Sequence, residues 1–260
     1  MTRFHRLELD QQAQQPQTTT PIQQQQNDHD EHYWMQLADG SRRNGYFEEA
    51  LRFYSRALET ERSLVAGWVG QVQMLVYLEE YPEAELWSRK ALEIFKSNGE
   101  LMAGRAQALC RSGNLKQAQP ICDAAMTQQG QSAYPWMVRG ELMLARRDKV
   151  EEHCFEKAMQ MDADWLVPLE ISLIYLHYAQ PAKALIRIRQ AVEKAPSHAY
   201  CWYRQGLCEI ELGLKVAAQQ SLRRCIEIKP DHLEARRRFT ELEEGTWWLR
   251  RMLRRFFRGS

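Results

Sequence analysis

The residues of this chain that could carry chemistry occur in pairs that cannot act together. The acidic pairs Glu48-Glu49, Glu151-Glu152 and Glu243-Glu244 are adjacent in sequence, and adjacent residues on a helix point in different directions. His198 and Cys201 could share a helical face, but a metal site needs three or four converging ligands. The sequence also lacks a Gly-rich phosphate loop, a Gly-x-Ser-x-Gly elbow and a His-Glu-x-x-His motif. We therefore predict a protein that is not an enzyme and that holds no cofactor and no metal.

The last sixteen residues differ in composition from the rest of the chain. The net charge of the protein is +1, and because this segment holds five Arg and no acid, the remainder sums to −4. At 100° per residue, its apolar side chains fall on one half of a helix and its arginines on the other. We predict a basic amphipathic helix over residues 245–260. Its docking residues are expected to be Trp247, Trp248, Arg250, Arg251, Arg254, Arg255, Phe256 and Phe257.

Three interpretations of this C-terminal helix stay open at this point. Trp and Phe at the headgroup boundary, with Arg on anionic lipid, are typical of a helix that lies on a membrane surface. The apolar face could instead fold back on the rest of the chain. The third interpretation is a protein or nucleic-acid partner that binds the helix.

The N-terminal segment and the cysteines bear on where the protein resides. Residues 1–28 are rich in Gln and hold too little apolar surface to offset their chain entropy, so we predict a disordered segment. The sequence shows no apolar signal segment and no stretch that could span a membrane. Six Cys without paired spacing indicate free thiols in a reducing compartment. We expect a cytoplasmic protein, with a peripheral position on the inner membrane surface as the alternative.

A small residue recurs through most of the chain with a nearly constant period. Its spacings are 34, 34, 33, 33 and 34 residues, in the series Ala57, Ala91, Ala125, Ala158, Ala191 and Cys225. A second series keeps step, with Ala50, Ala84, Ala118, Ala184 and Ala218, but Glu151 or Glu152 stands where its fourth Ala is expected. Such a period is typical of a solenoid whose units pack mainly on their neighbours. The small residues indicate helices that cross closely.

This pattern resembles the tetratricopeptide-repeat family, whose unit is a hairpin of two helices, A and B. In the first unit the family pattern is read as Trp34, Leu37, Ala38, Ser41, Ala50, Tyr54 and Ala57. In the last full unit it is read as Trp202, Gln205, Gly206, Glu209, Ala218, Leu222, Cys225 and Pro230. The resemblance implies an all-α, right-handed α-solenoid with six repeats over residues 29–231. A polar capping helix is expected over residues 232–244, with Phe239 and Leu242 on its buried side.

The resemblance also implies which residues face the concave surface, where the family binds its ligands. They are positions 2, 5, 9, 12 and 13 of each A helix, which in repeat one are His32, Met35, Asp39, Arg42 and Arg43. One family subset grips a C-terminal carboxylate with Lys and Asn, but Met35, Asp39 and Gly70 stand at the matching places here. The second half of the surface is apolar, and its expected groove residues are Tyr134, Met137, Leu169, Leu173, Tyr200, Tyr203 and Leu207. If the assigned phase is one residue off, these side chains are ordinary core.

The sequence thus predicts a scaffold or chaperone-like adaptor that binds an apolar or amphipathic segment of a protein or peptide client. The alternative is a membrane-surface adaptor anchored by the C-terminal helix. A nucleic-acid-associated protein using the same helix is disfavoured, because the repeats are slightly acidic. The identity of the client and the oligomeric state stay open.

Overall fold

The computed structural model describes residues 30–128 and 132–244, and every regular element in these ranges is an α-helix. The helices are α1 (Glu31–Arg43), α2 (Phe47–Thr60), α3 (Val65–Tyr77), α4 (Tyr81–Ile94), α5 (Gly99–Arg111), α6 (Leu115–Met126), α7 (Ala133–Ala145), α8 (Glu151–Met161), α9 (Leu166–His177), α10 (Pro181–Lys194), α11 (Ala199–Leu212), α12 (Lys215–Ile228) and α13 (Leu233–Glu243). The helices α1 to α12 form six hairpins, here called repeats one to six, and α13 packs on α12. The prediction of an all-α solenoid is confirmed.

Local sequence signals account for the ends of the helices. Asp30 caps α1, since its carboxylate accepts a hydrogen bond from the backbone N–H of Tyr33 at 2.9 Å. Pro82 and Pro181 lie in the first turns of α4 and α10, where a helix does not need their missing N–H. The turn inside each hairpin contains one residue with positive φ, and these are Gly45, Glu79, Gly113, Arg147, Ala179 and Gly213.

The recurring small residues lie where helices cross. Every member of the two series that begin at Ala50 and Ala57 is at most 2% exposed, because a larger side chain would hold the helices apart. Repeat four departs from the pattern, since Glu151 occupies the Ala position and is buried. Its carboxylate accepts a hydrogen bond from Lys183 Nζ at 2.6 Å, and this ion pair offsets the cost of burying the charge.

Apolar side chains form a core that passes from each repeat to the next. At its end, Leu242 of α13 is fully buried against α12, and Phe239 packs beside it, as the sequence predicts. In the part of the chain that the structure describes, each helix is too short or too polar to cross a lipid bilayer.

Repeat one also contacts repeats five and six, so the ends of the array meet. Arg43 binds Asp164, which lies 121 positions further along the chain. Lys229 Nζ donates a hydrogen bond to Tyr46 Oη at 2.8 Å across 183 positions. Gly45 lies so close to the ring of Tyr200 that a β-carbon there would overlap it. We call this set of contacts the closure.

Candidate partner-binding site

Side chains on the inner side of the array surround a cavity of about 310 Å³. They come from repeats one to four and from the first turn of repeat five with the segment before it. Most occupy the concave positions expected from the sequence. The polar lining consists of Asp39, Arg42, Arg43, Tyr54, Gln73, Glu100, Ser132, Tyr134, Asp162, Asp164 and Glu170. The apolar lining consists of Met35, Ala66, Val69, Gly70, Ala133, Met137, Leu166 and Val167.

The two arginines of the cavity wall are already paired with carboxylates. Arg42 Nη2 lies 2.6 Å from Glu170 Oε1, and the side chain of Glu170 is 5% exposed. Burial opposes the charged form of Arg42, but the Glu170 carboxylate, together with Tyr54 and Tyr77, outweighs it and keeps the pKa of Arg42 above its ordinary value. Arg43 donates two hydrogen bonds to Asp164, at 3.1 and 2.6 Å, and this bonding lowers the pKa of Asp164. Both guanidinium charges are therefore compensated within the wall.

A buried hydrogen-bond chain fixes the position of Tyr134 at the cavity. Tyr134 Oη donates to Gln107 Oε1 at 2.7 Å, and Gln107 Nε2 donates to Glu141 Oε2 at 2.6 Å. Arg111 Nε completes the chain by donating to Glu141 Oε1 at 2.6 Å. Buried polar groups that satisfy one another in this way hold a single arrangement. The Tyr134 ring is therefore a rigid part of the wall.

Three further carboxylates of the lining, those of Asp39, Glu100 and Asp162, form no ion pair with any residue the structure describes. Each is nevertheless held by a hydrogen bond. Tyr54 Oη donates to Asp39 at 2.6 Å, and Ser132 Oγ donates to Glu100 at 2.6 Å. A backbone N–H of the same turn donates to Asp162 at 2.8 Å. These groups give the cavity fixed negative charges that no ion pair neutralises, although the Asp39 carboxylate also attracts the Arg43 guanidinium.

Gln73 of α3 contributes an unsatisfied acceptor to the wall. The residue is 3% exposed, and its Oε1 atom has no hydrogen-bond partner among the described residues. A buried carbonyl oxygen without a donor costs free energy. The cavity thus contains one polar atom for which the described part of the protein supplies no partner.

Comparison with known proteins identifies the repeat. The model of the tetratricopeptide-repeat family matches residues 199–232, which span α11, α12 and the turn that follows. The solved structure of TTC0263, a thermophilic tetratricopeptide protein of Thermus thermophilus, is similar with a TM-score of 0.52. It is 17% identical over 68% of this chain and 98% of that chain. Residues 199–232 therefore match a tetratricopeptide repeat, and the fold of the array is similar to that of a tetratricopeptide protein.

Two other solved structures resemble the chain less well. YrrB, a tetratricopeptide protein with an unusual peptide-binding site, is 18% identical over 70% of this chain and 95% of that chain, with a TM-score of 0.39. The first tetratricopeptide domain of Spaghetti (RPAP3), bound to an HSP90 peptide, is 20% identical over 45% of this chain and 95% of that chain, with a TM-score of 0.37.

In this helical array, two of the predicted groove residues line the cavity. Tyr134 and Met137 lie on its wall, although they are only 6% and 2% exposed. They border the lining residues Met35 and Val69, which belong to the concave positions of repeats one and two. A ligand in the cavity would meet them from the inner side of the array.

Of the other predicted groove residues, two are buried and three keep part of their surface. Leu169 and Tyr200 are buried, and the turn at Gly45 covers the Tyr200 ring. Tyr203 lies beside His232 at the start of α13, with ring centroids 4.6 Å apart. The closure covers Tyr200, whereas Leu169 packs in the core that repeats four to six share. The side chains that keep part of their surface are Leu173, Tyr203 and Leu207.

The sequence reasoning did not single out Glu170 and Asp164. A signal for Glu170 was present, because it is the only acid in the apolar helix α9, and a buried carboxylate requires a cation. Arg42 and Arg43 at the end of α1 are the cations that bind these two acids. The sequence does not show these ion pairs, because they form only where repeats one and five meet.

The other side chains considered for chemistry take part in packing, hydrogen bonds or ion pairs. The His198 ring packs on Trp165 with centroids 4.2 Å apart, and burial raises the pKa of the neighbouring Cys201 thiol to about 12. Glu152 pairs with Arg187 and accepts a hydrogen bond from Tyr175. Across residues 30–128 and 132–244, no three His, Cys, Asp or Glu side chains are grouped so that they could hold a metal ion.

Two predicted segments lie outside the described residues. One is the Gln-rich segment over residues 1–28, and the other is the basic amphipathic helix over residues 245–260. The second includes every predicted tail residue, namely Trp247, Trp248, Arg250, Arg251, Arg254, Arg255, Phe256 and Phe257.

Proposed function

We propose that this protein is a non-enzymatic interaction scaffold that holds a segment of a client protein in the inner cavity. One observation carries the proposal, which is that side chains from five of the six repeats converge on a single cavity of about 310 Å³. A concave site that combines apolar walls with a few fixed polar groups is the usual form of a ligand-binding site.

The two kinds of lining suit an amphipathic segment. Tyr134, Met137 and Val69 offer apolar surface, and rigid aromatic side chains are frequent anchors at interfaces. Asp39 and Glu100 offer hydrogen-bond acceptors held in place by other side chains. A segment with alternating apolar and polar side chains would satisfy both. Leu173, Tyr203 and Leu207 are proposed as additional contacts for a segment that extends beyond the cavity.

Blocking the cavity tests this proposal. Ala66 is an exposed residue of the lining at the start of α3, so Ala66→Trp should fill the mouth of the cavity without disturbing the core. The matched control is Ala182→Trp, at an exposed position of α10 that does not line the cavity. The full-length protein and both variants would be used to select peptides from a random phage-displayed library.

We expect the unchanged protein and Ala182→Trp to enrich the same peptides, and we expect Ala66→Trp to retain none of them. Circular dichroism and thermal melting would check that both variants fold like the parent. Equal retention of the selected peptides by Ala66→Trp, or no enrichment by the parent protein, would contradict the proposal.

A second candidate function rests on the C-terminal helix. The separation of Trp and Phe from Arg over residues 245–260 supports docking on an anionic membrane surface. Under this proposal the full-length protein sediments with anionic liposomes at low salt, whereas the chain ending at residue 245 does not, and both melt at the same temperature. A lower melting temperature for the shortened chain, without liposome binding by the full-length protein, would favour packing of the helix on the array.

A further inference from the structure

The charges of the cavity lining do not balance. Five carboxylates and two guanidinium groups line it, which leaves an excess of three negative charges. The two guanidinium groups are those of Arg42 and Arg43, and each is bound to a carboxylate of the same wall. The excess therefore belongs to Asp39, Glu100 and Asp162, which come from repeats one and three and from the segment before repeat five.

These three carboxylates are arranged as acceptors for a cation from outside the chain. Asp39 and Glu100 accept hydrogen bonds from neutral hydroxyl groups of Tyr54 and Ser132, which position them without cancelling their charge. Each carboxylate has several acceptor sites, so each can bind a further donor. Like charges that share one cavity are stabilised most by an opposite charge between them.

Gln73 provides an independent indication of a donor. Gln73 belongs to the same wall, and its Oε1 atom is buried and has no partner in the part of the chain that the structure describes. A carbonyl oxygen can only accept hydrogen bonds, and ammonium and guanidinium groups can only donate them. The unsatisfied acceptor and the three carboxylates thus call for the same chemical group.

The apolar part of the wall selects among cations. Met35, Val69 and Met137 line the cavity together with the carboxylates. Lys and Arg side chains carry a long apolar stem that ends in a charge, and both parts find complementary surface here. Among the described residues the carboxylates are not grouped as metal ligands, which favours an extended organic cation over a metal ion.

From these observations we infer that the cavity receives a Lys or Arg side chain of the bound client segment. The inference rests on the proposed function, since it names the chemistry of the segment held in the same cavity. The cation is attracted by the carboxylates of Asp39, Glu100 and Asp162, the Oε1 atom of Gln73 accepts one of its hydrogen bonds, and the stem lies along Met35, Val69 and Met137. Acidic segments are excluded because both arginines of the wall are already neutralised.

Three degenerate peptide pools test the inference on the full-length protein. The pools share the same length and flanking positions, and they differ in one fixed central residue, which is Lys, acetyl-lysine or Glu. Binding is measured by fluorescence anisotropy at low and high salt. We expect the Lys pool to bind roughly tenfold more tightly than the acetyl-lysine pool, the Glu pool to bind most weakly, and the Lys preference to shrink with added salt.

Variants that remove one carboxylate charge test which residues cause the preference for the Lys pool. Asp39→Asn and Glu100→Gln keep the shape of each side chain and should each weaken the Lys pool roughly fivefold, without changing the acetyl-lysine pool. The matched control is Asp231→Asn, an exposed acid outside the cavity, which should leave both pools unchanged.

A second pair of variants tests the unsatisfied acceptor. Gln73→Leu should weaken the Lys pool while the fold stays intact. Gln71→Leu is the control, because Gln71 lies on the same helix and its Oε1 also lacks a partner among the described residues, but it does not line the cavity. An equal response of the Lys pool to the two variants would overturn the role assigned to Gln73.

The remaining outcomes separate this inference from the function on which it rests. If all three pools bind equally and Ala66→Trp abolishes their binding, the scaffold proposal stands and the cationic ligand is wrong. If no pool binds and the free polyamine spermidine does, the cation does not come from a client segment, and both proposals fail in their present form. If neither the pools nor spermidine bind, the cavity is no ligand site, and both are wrong.

Discussion

The inner surface of the array has two regions that the same helix positions build in different ways. In repeats one to four, the inward side chains line a cavity and include the carboxylates of Asp39 and Glu100. In repeats five and six the corresponding side chains are mostly apolar and keep part of their surface, but Tyr200 is buried against Gly45. Repeat one takes part in both regions, since its side chains line the cavity and its turn at Gly45 covers the Tyr200 ring.

The comparison shows that position within a repeat does not by itself decide what a residue does. At the same position of helix A, Met137 and Leu169 are buried, whereas Met35 and Tyr203 keep part of their surface. In this protein the covering contacts are charged and polar, as between Arg42 and Glu170 or between Lys229 and Tyr46. The closure is therefore the feature from which the position and the charge of the cavity follow.

The largest expected effect comes from breaking the buried ion pair of the closure. Glu170→Gln leaves Arg42 buried without a counter-charge and should lower the free energy of unfolding by about 3 kcal/mol. Asp164→Asn removes the partner of Arg43 in a more exposed pair, where both side chains are about one third exposed, and should cost less than about 1 kcal/mol. Urea unfolding would measure both, and equal losses would show that Glu170 is not buried against repeat one.

A pair of glycine variants isolates the contact between Gly45 and Tyr200. Gly45 and Gly113 both have positive φ, at 76° and 85°, but a β-carbon would meet a neighbour at Gly45 and none of the described residues at Gly113. Gly113→Ala should therefore cost only the backbone strain, about 1 kcal/mol. Gly45→Ala should cost that amount and in addition displace the Tyr200 ring, for a total of about 2–3 kcal/mol. The closure would be in doubt if the two variants melted at the same temperature.

A variant in the cavity wall should change the free energy of unfolding in the opposite direction. Gln73→Leu replaces a buried acceptor that has no partner among the described residues, and should raise the free energy of unfolding by about 1 kcal/mol in the absence of ligand. The same measurement on Gln71→Leu provides the comparison. Gln71 does not line the cavity, and it donates a long hydrogen bond to Ser55 that the variant would lose. A loss of stability for Gln73→Leu would mean that the Gln73 amide has a partner that holds it in place.

The smallest effect is expected from the pH dependence of the closure. Burial, and secondarily the nearby Arg43 guanidinium, lowers the pKa of His198. Unfolded His198 takes up a proton near pH 6.5, while the folded protein does so only at lower pH, so stability should fall as the pH decreases below about 6.5. His198→Phe keeps a ring against Trp165 and should flatten the decline between about pH 7 and pH 5. An unchanged slope in a series of urea titrations would remove His198 from this account.

Much of the fold was accessible from the sequence because it depends on local and periodic features. The Ala series marked the helix crossings, and the cap at Asp30 and the prolines at 82 and 181 are local features of helix starts. The irregular repeat was also visible at Glu151, although its compensation by Lys183 in the next repeat was not.

The candidate site was only partly accessible, because it depends on how far the solenoid winds. The family resemblance identified Asp39, Tyr134 and Met137 as inward residues, and all three line the cavity. The burial of Tyr200 followed from a small rotation per repeat, summed over five repeats, that brings Gly45 against it. No local sequence pattern predicts that contact between distant repeats. The single acid Glu170 in an apolar helix was the one local feature that indicated it.

A double-mutant cycle between Arg42 and Glu170 tests the closure most directly. The two residues lie 128 positions apart in the chain, in repeats one and five, and their free energies of unfolding can be coupled only if those repeats touch. The closed array predicts that Arg42→Met, Glu170→Gln and the double variant give a coupling of about 2 kcal/mol or more. Single-variant losses that add to within about 0.5 kcal/mol would show that the repeats stay apart, and would contradict the closed array.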